Sequence, residues 1–170
     1  MQGYYRYPAI FQDKIVFVAD DDIWMISGKN AQRLTTSRGL ATTPIFSPDG
    51  TKLAFASSDE GGLEIFTFDL MSGDLKRLTY LGHQLMACTW TQDGIYFSAP
   101  HGGYQGVSTL WRVQETGGIA SPLYLGPSQN IDFNRDGSGA VLQRHGYREF
   151  GYWKRYRGGT TGEIWIDQGD

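Results

Sequence analysis

The sequence predicts an all-β fold, a partial β-propeller of four-stranded antiparallel blades, with about four blades of which the last is incomplete. Three observations predict it. One sequence phrase recurs at intervals of about 40 to 45 residues, the spacing that a four-stranded blade leaves. Apolar positions alternate within each copy, as period-two pleating requires. Finally, 23 Gly and 14% aromatic residues in a chain of 170 suit many short strands joined by tight turns.

The phrase is an aromatic, an Asp, usually followed by Gly, and then an alternating apolar strand and an apolar-aromatic pair. Its copies start at Phe11/Asp13, Phe46/Asp49-Gly50, Trp90/Asp93-Gly94 and Phe133/Asp136-Gly137. Second strands follow the Asp as Lys52-Leu53-Ala54-Phe55-Ala56, Ile95-Tyr96-Phe97-Ser98 and Ala140-Val141-Leu142-Gln143. Third strands are marked by Ile23-Trp24, Ile65-Phe66, Leu110-Trp111 and Ile164-Trp165. A Gly-containing turn comes next, at Ser27-Gly28-Lys29-Asn30, Ser72-Gly73-Asp74 and Thr116-Gly117-Gly118, as hairpin connections favour. Fourth strands read Gln32-Arg33-Leu34-Thr35, Lys76-Arg77-Leu78-Thr79 and Pro122-Leu123-Tyr124-Leu125.

The expected blades fall at residues 8–39, 41–82, 85–126 and 129–170 of a single partial propeller domain, 1–170. The fourth copy departs from the pattern. Asp136 lies much farther from Ile164 than Asp49 lies from Ile65, so an insertion separates its second and third strands, and Asp170 arrives before a fourth strand. The expectation is the front portion of a longer chain. The competing possibility is a closed four-bladed disc whose last blade is completed by Tyr4-Tyr5-Arg6-Tyr7. In an open piece, the face beside Trp165 would be apolar and prone to self-association.

Composition narrows the function classes. A charged fraction of 19% and an apolar fraction of 40% describe a folding chain, and the formal net charge of −3 gives no field that favours nucleic acid. No apolar run approaches the roughly 18 residues of a membrane helix. With no signal-peptide pattern at Met1-Gln2-Gly3-Tyr4-Tyr5, the expected location is cytoplasmic, with no membrane partner. The one cysteine, Cys88, falls on a predicted first strand and reads as a small core residue rather than a nucleophile.

Candidate chemistry is sparse. There is no Gly-x-Ser-x-Gly elbow, and Ser108 reads as a strand-entry residue. His83, His101 and His145 fall in loops of different blades without partners at ligand spacing, so neither a metal nor another cofactor is expected. Asp20-Asp21-Asp22 lacks the alternate spacing of a calcium loop and reads as a solvated turn, with one carboxylate capping backbone amides. Gly158-Gly159-Thr160-Thr161-Gly162 leads into a strand and lacks the Lys-Ser/Thr ending of a phosphate loop. The insertion interleaves Arg144, Arg148, Lys154, Arg155 and Arg157 with Tyr147, Phe150, Tyr152, Trp153 and Tyr156. It reads in three ways: aromatics packed on the blade with cations solvated or paired to Glu149 and Glu163, a peptide-contacting or docking surface, or a nucleic-acid surface. On an acidic chain the last has the least support.

Phe46-Ser47-Pro48-Asp49-Gly50 and Lys76-Arg77-Leu78-Thr79 resemble the propeller repeats shared by TolB, the prolyl oligopeptidase group and tricorn proteases. More specific is the run from Trp153 to Ile166, which resembles the insertion and following strand in the first propeller of tricorn proteases. Asp20-Asp21-Asp22-Ile23-Trp24, Leu110-Trp111-Arg112-Val113 and Leu125-Gly126-Pro127 follow the same pattern in the same order.

This resemblance implies a six-bladed N-terminal propeller of a large cytoplasmic serine peptidase that cuts oligopeptides and assembles as a homohexamer. Such enzymes continue into a second propeller, a PDZ domain and a catalytic region, none of which has a counterpart here. The chain alone is therefore expected to be inactive, with no catalytic residue of its own, and to serve assembly and peptide channelling. The family places a basic pair before its third blade to hold a peptide's terminal carboxylate; the matching stretch is His83-Gln84-Leu85-Met86, where Gln84 brings no charge. Candidate peptide-binding residues are Gln84, Arg155 and Arg157. The alternative is a stand-alone TolB-like propeller acting as an interaction scaffold.

Overall fold

The computed structural model describes residues 4–100, 107–134, 136–144 and 161–167. These residues form fifteen strands and no helix. Blade 1 comprises β1 (Arg6–Phe11), β2 (Lys14–Ala19), β3 (Asp22–Ser27) and β4 (Asn30–Arg33). Blade 2 comprises β5 (Ala41–Phe46), β6 (Lys52–Ser57), β7 (Glu64–Asp69) and β8 (Leu75–Arg77). Blade 3 comprises β9 (Met86–Thr91), β10 (Gly94–Pro100), β11 (Ser108–Val113) and β12 (Ser121–Pro122). Blade 4 has β13 (Asn130–Phe133), β14 (Ala140–Arg144) and β15 (Glu163–Asp167). Every sheet is a simple antiparallel meander, three of four strands and one of three. The predicted partial propeller is the fold observed.

Local sequence explains the turns. The β2–β3 hairpin turns on Asp20 and Asp21, both at positive φ (51° and 61°), the backbone of a type I′ turn whose twist matches the flanking strands. In Ser47-Pro48-Asp49-Gly50, Oδ1 of Asp49 accepts from the Ser47 hydroxyl at 2.7 Å and the Thr51 amide at 3.0 Å. Gly50 closes that turn at φ 69°. Each of the first three inner strands carries an irregularity: between Arg6 and Ala9, between Thr42 and Ile45, and opposite Tyr96/Phe97. Two of these contain Pro, at Tyr7-Pro8 and Thr43-Pro44, where a missing amide costs the ladder nothing.

Both faces of the middle blades are buried, which is why their second strands read as continuous apolar runs. Leu53 and Phe55 of β6 pack toward blade 1 with Val16, Val18 and Ile23. The alternate residues Ala54 and Ala56 pack toward blade 3 with Trp90, Ile95 and Phe97. Tyr96, on the other side of β10, joins Ile131 and Leu142 of blade 4. One strand thus serves two cores, with the small Ala54/Ala56 face admitting the large rings opposite. Phe55 and Phe97 are fully buried, and truncating either to Ala would cost about 3–5 kcal/mol.

The Tyr4–Tyr7 segment does not complete blade 4. Arg6 pairs with Val18 inside blade 1, and the Tyr5 ring stands edge-on to Phe17 at 5.3 Å. Among the described residues, no strand pairs with the outer edge of β15. Ile164 and Ile166 remain 75% and 69% exposed, and Trp165 is half exposed, as expected of an open blade.

Candidate functional site

The best-built polar arrangement sits at the start of the third strands of blades 1 and 2. Asp22, the first residue of β3, is 1% exposed, so it is not the solvated turn residue expected from Asp20-Asp21-Asp22; only Asp20 and Asp21 are. Its carboxylate accepts from the Thr35 hydroxyl at 2.8 Å and the Ser37 amide at 2.7 Å, and pairs with Arg33. These donors make burial of the charge tolerable. The Thr35 oxygen in turn accepts the Ile23 amide at 2.9 Å, and Leu34 donates its amide to the Ile23 carbonyl at 2.8 Å.

Blade 2 repeats this arrangement. Glu64, also 1% exposed, accepts from the Thr79 hydroxyl and from the Gly82 amide at 2.6 Å, with Arg77 at 3.3 Å. Ile65 donates to the Thr79 oxygen at 2.9 Å, and Leu78 to the Ile65 carbonyl at 2.8 Å. Blade 3 keeps only the backbone part: Leu123 donates to the Leu110 carbonyl at 2.8 Å, but Thr109 replaces the acid and Pro122 and Tyr124 replace the Arg and Thr. Sequence reasoning missed this triad. Its signal was present, because the acid before the third-strand Ile occurs in the two copies that read Arg-Leu-Thr and is absent from the copy that reads Pro-Leu-Tyr.

A second set of polar groups links neighbouring blades. Lys14 of β2 reaches the Gly50 carbonyl at 3.1 Å, and Lys52 of β6 pairs with Glu115 beyond β11, which holds the ammonium above its ordinary pKa. Thr43 accepts the Ala87 amide at 3.0 Å, and Thr89 donates to Asp132 at 3.0 Å. Arg144, half-buried, donates to the Leu125 carbonyl at 2.6 Å and lies 4.1 Å over the Trp165 ring. Lys52, Glu115, Trp90 and Gln114 border an open cleft of about 310 Å³ between blades 2 and 3. Asp49, Thr51 and Thr116 add to its largely polar lining.

The remaining candidates are dispersed. Gln84 is exposed on the loop between β8 and β9, next to exposed His83. Arg155 and Arg157 lie outside the described residues, as do His101, His145 and Gly158-Gly159-Thr160, so no grouping with Gln84 is observed. Ser108 opens β11 and pairs with Pro100, a strand-entry residue as expected. Cys88 lies on β9 with its sulfur 3.7 Å from the Gln129 carbonyl, and burial pushes its thiol up to about 11. Among the described residues no three His, Cys, Asp or Glu side chains gather as a metal site, and no helix is long and apolar enough to cross a membrane.

Comparison with known families decides what kind of propeller this is. The model of the tricorn protease N-terminal β-propeller domain matches residues 2–170. The chain belongs to this family. Tricorn protease homolog 1 of Streptomyces coelicolor is 33% identical over 99% of the chain, and a putative tricorn-like protease N-terminal subunit of Sulfurisphaera tokodaii is 30% identical over 98%. The tricorn propeller described here spans 16% of the Streptomyces relative's length and 87% of the Sulfurisphaera relative's. Among solved structures, a tricorn protease superposes with a TM-score of 0.81 at 29% identity, covering 98% of this chain and 17% of that one. TolB from Acinetobacter baumannii, with a TM-score of 0.70 at 22% identity over 92% of this chain and 38% of its own, shares the fold.

Proposed function

We propose that this tricorn-type propeller segment is a noncatalytic part of a serine peptidase that degrades oligopeptides, and that it serves assembly and the passage of peptides or products. The observation that carries this reading is the family match over residues 2–170. A polar-lined cleft between blades 2 and 3 is consistent with a part that works by contact. The Sulfurisphaera relative, named a putative tricorn-like protease N-terminal subunit, supports a role as one part of a larger protease. Peptide contact is assigned to the face bearing Gln84, together with Arg155 and Arg157, in a cytoplasmic homo-oligomer that the resemblance suggests is a hexamer.

The test has two arms. The purified 170-residue chain is expected to leave fluorogenic oligopeptides intact, and deletion of this segment in its source cells is expected to lower tricorn-type oligopeptide turnover. Turnover by the chain itself after repurification overturns the reading. So does a chain whose removal leaves oligopeptide turnover unchanged, the result expected of a TolB-like scaffold.

A further inference from the structure

Three Asp-Gly pairs occur in the sequence, Asp49-Gly50, Asp93-Gly94 and Asp136-Gly137, each at the first turn of a blade. In such a pair the Gly has no side chain to keep its amide nitrogen away from the carboxyl of the Asp before it. All three Asp are exposed, yet their carboxyls are held differently. Asp49 Oδ1 accepts from the Ser47 hydroxyl at 2.7 Å and from the amide and hydroxyl of Thr51 at 3.0 and 2.8 Å. Asp136 Oδ1 accepts the Ser138 amide at 3.0 Å. These bonds fix the side-chain rotamer and stabilise the ionised carboxylate, holding Asp49 and Asp136 below the ordinary range. A carboxylate resists nucleophilic attack, because it lacks the hydroxyl that must leave.

Asp93 has no such protection. Thr51 and Ser138 follow the other two pairs, but Ile95 follows Asp93-Gly94, and Ile95 is already paired with Trp90 in the β9–β10 ladder. The Asp93 amide donates to the Thr91 hydroxyl at 3.1 Å and its main-chain carbonyl accepts from Gln114 Nε2 at 3.0 Å. Among the described residues no donor reaches its carboxylate.

We propose that Asp93-Gly94 is a site of spontaneous covalent modification, at which Asp93 converts to isoaspartate through a succinimide, while hydrogen bonds shield Asp49-Gly50 and Asp136-Gly137. The Gly94 nitrogen attacks Cγ of the protonated Asp93 side chain; an N–Cγ bond forms, the Cγ–OH bond breaks, and the amide proton and hydroxyl depart as water. Water then opens the ring. Attack at the side-chain carbonyl restores aspartate, and attack at the main-chain carbonyl, the one Gln114 polarises, leaves the chain running through the β-carboxyl. The product carries one extra backbone methylene at a place without slack, since a Cβ on Gly94 would already stand 2.7 Å from the Val113 carbonyl oxygen. Gly94 and Gln114 both border the cleft between blades 2 and 3, so the modification reshapes that cleft. This inference is independent of the peptidase reading.

The test incubates the folded 170-residue chain in mildly acid buffer, well below its unfolding temperature. Isoaspartate is read with a protein isoaspartyl methyltransferase and labelled S-adenosylmethionine, and located by peptide mapping. It is expected to accumulate at Asp93 about tenfold faster than at Asp49 or Asp136, the factor that one pKa unit of protection gives. In urea the three sites, each followed by Gly, should react at nearly equal rates. Asp93→Glu, whose side chain is one methylene too long for the five-membered ring, should remove most of the signal. Absence of isoaspartate at Asp93, or equal rates at Asp93 and Asp49 in the folded chain, overturns the proposal. A ranking that persists unchanged in urea, or a signal undiminished by Asp93→Glu, overturns it equally.

Discussion

The Thr35 hydroxyl donates to Oδ1 of Asp22 at 2.8 Å while its oxygen accepts the Ile23 amide at 2.9 Å. One side chain thereby satisfies a buried charge and extends the backbone ladder by a bond that β4 itself is too short to make. Asp22→Ala leaves Arg33 and the Ser37 amide without their acceptor, and is expected to destabilise the chain by about 3 kcal/mol. Thr109→Ala, at the same position of blade 3, removes only the acceptor of the Trp111 indole at 3.1 Å and should cost about 1 kcal/mol. Urea unfolding of both variants checks the contrast, and equal losses would remove the triad's special status.

Gly50 is held by its neighbours as well as by its turn. A Cβ there would stand 2.1 Å from the Phe11 ring of blade 1, with the backbone at φ 69°. At Gly28, φ 61°, the space is open. Gly50→Ala is therefore expected to cost about 3 kcal/mol, conformational strain plus a displaced ring, against about 1 kcal/mol for Gly28→Ala. Thermal unfolding of the pair separates strain from crowding.

Asp49 gives a pH dependence of definite sign. Hydrogen bonds from the Ser47 hydroxyl and from the amide and hydroxyl of Thr51 hold its carboxyl at about 2, below the ordinary 3.8. Its contribution is therefore fully present above pH 4 and disappears as the pH falls from about 4 to about 2. The stability gap between the parent chain and Asp49→Asn should be constant at neutral pH and close over that window. A gap that persists at pH 2 would contradict the assignment. Asp136 is depressed in the same direction by the Ser138 amide and hydroxyl, and Asp69 by the amides of Ser72 and Met71.

Cys88 should be inert while the chain is folded. Burial raises its thiol to about 11, leaving little thiolate at pH 8. Reaction with an aromatic disulfide reagent is expected to be at least tenfold slower in native buffer than in guanidinium. Equal rates would show that the blade 3–blade 4 interface opens freely.

Much of this architecture could be read from residues. Asp49-Gly50 and its counterparts marked the first turns because turn chemistry is local, and Lys52-Leu53-Ala54-Phe55-Ala56 marked a second strand because side chains alternate across a pleat. Asp22 was misread because its fate is set at a distance: Arg33, Thr35 and Ser37 lie more than ten residues away in sequence, and only the hairpin brings them to the carboxylate. Arg144, left open among three readings of the insertion, finds its acceptor at Leu125 of the preceding blade for the same long-range reason. The polar assemblies were therefore harder to foresee than the cores, which need only a period.

Blade 3 closes with Ser121–Pro122, the shortest outer strand, and without an acid to grip it; Tyr124 beyond it is 95% exposed. The arc accordingly has unequal local stability, with two blades clasped at the rim and one held by backbone alone. Amides at the edge of β11 should exchange soonest among those of the three complete blades, because local opening begins where the fewest buried contacts resist it. A propeller built this way yields at a chosen seam while the blades on either side keep their shape.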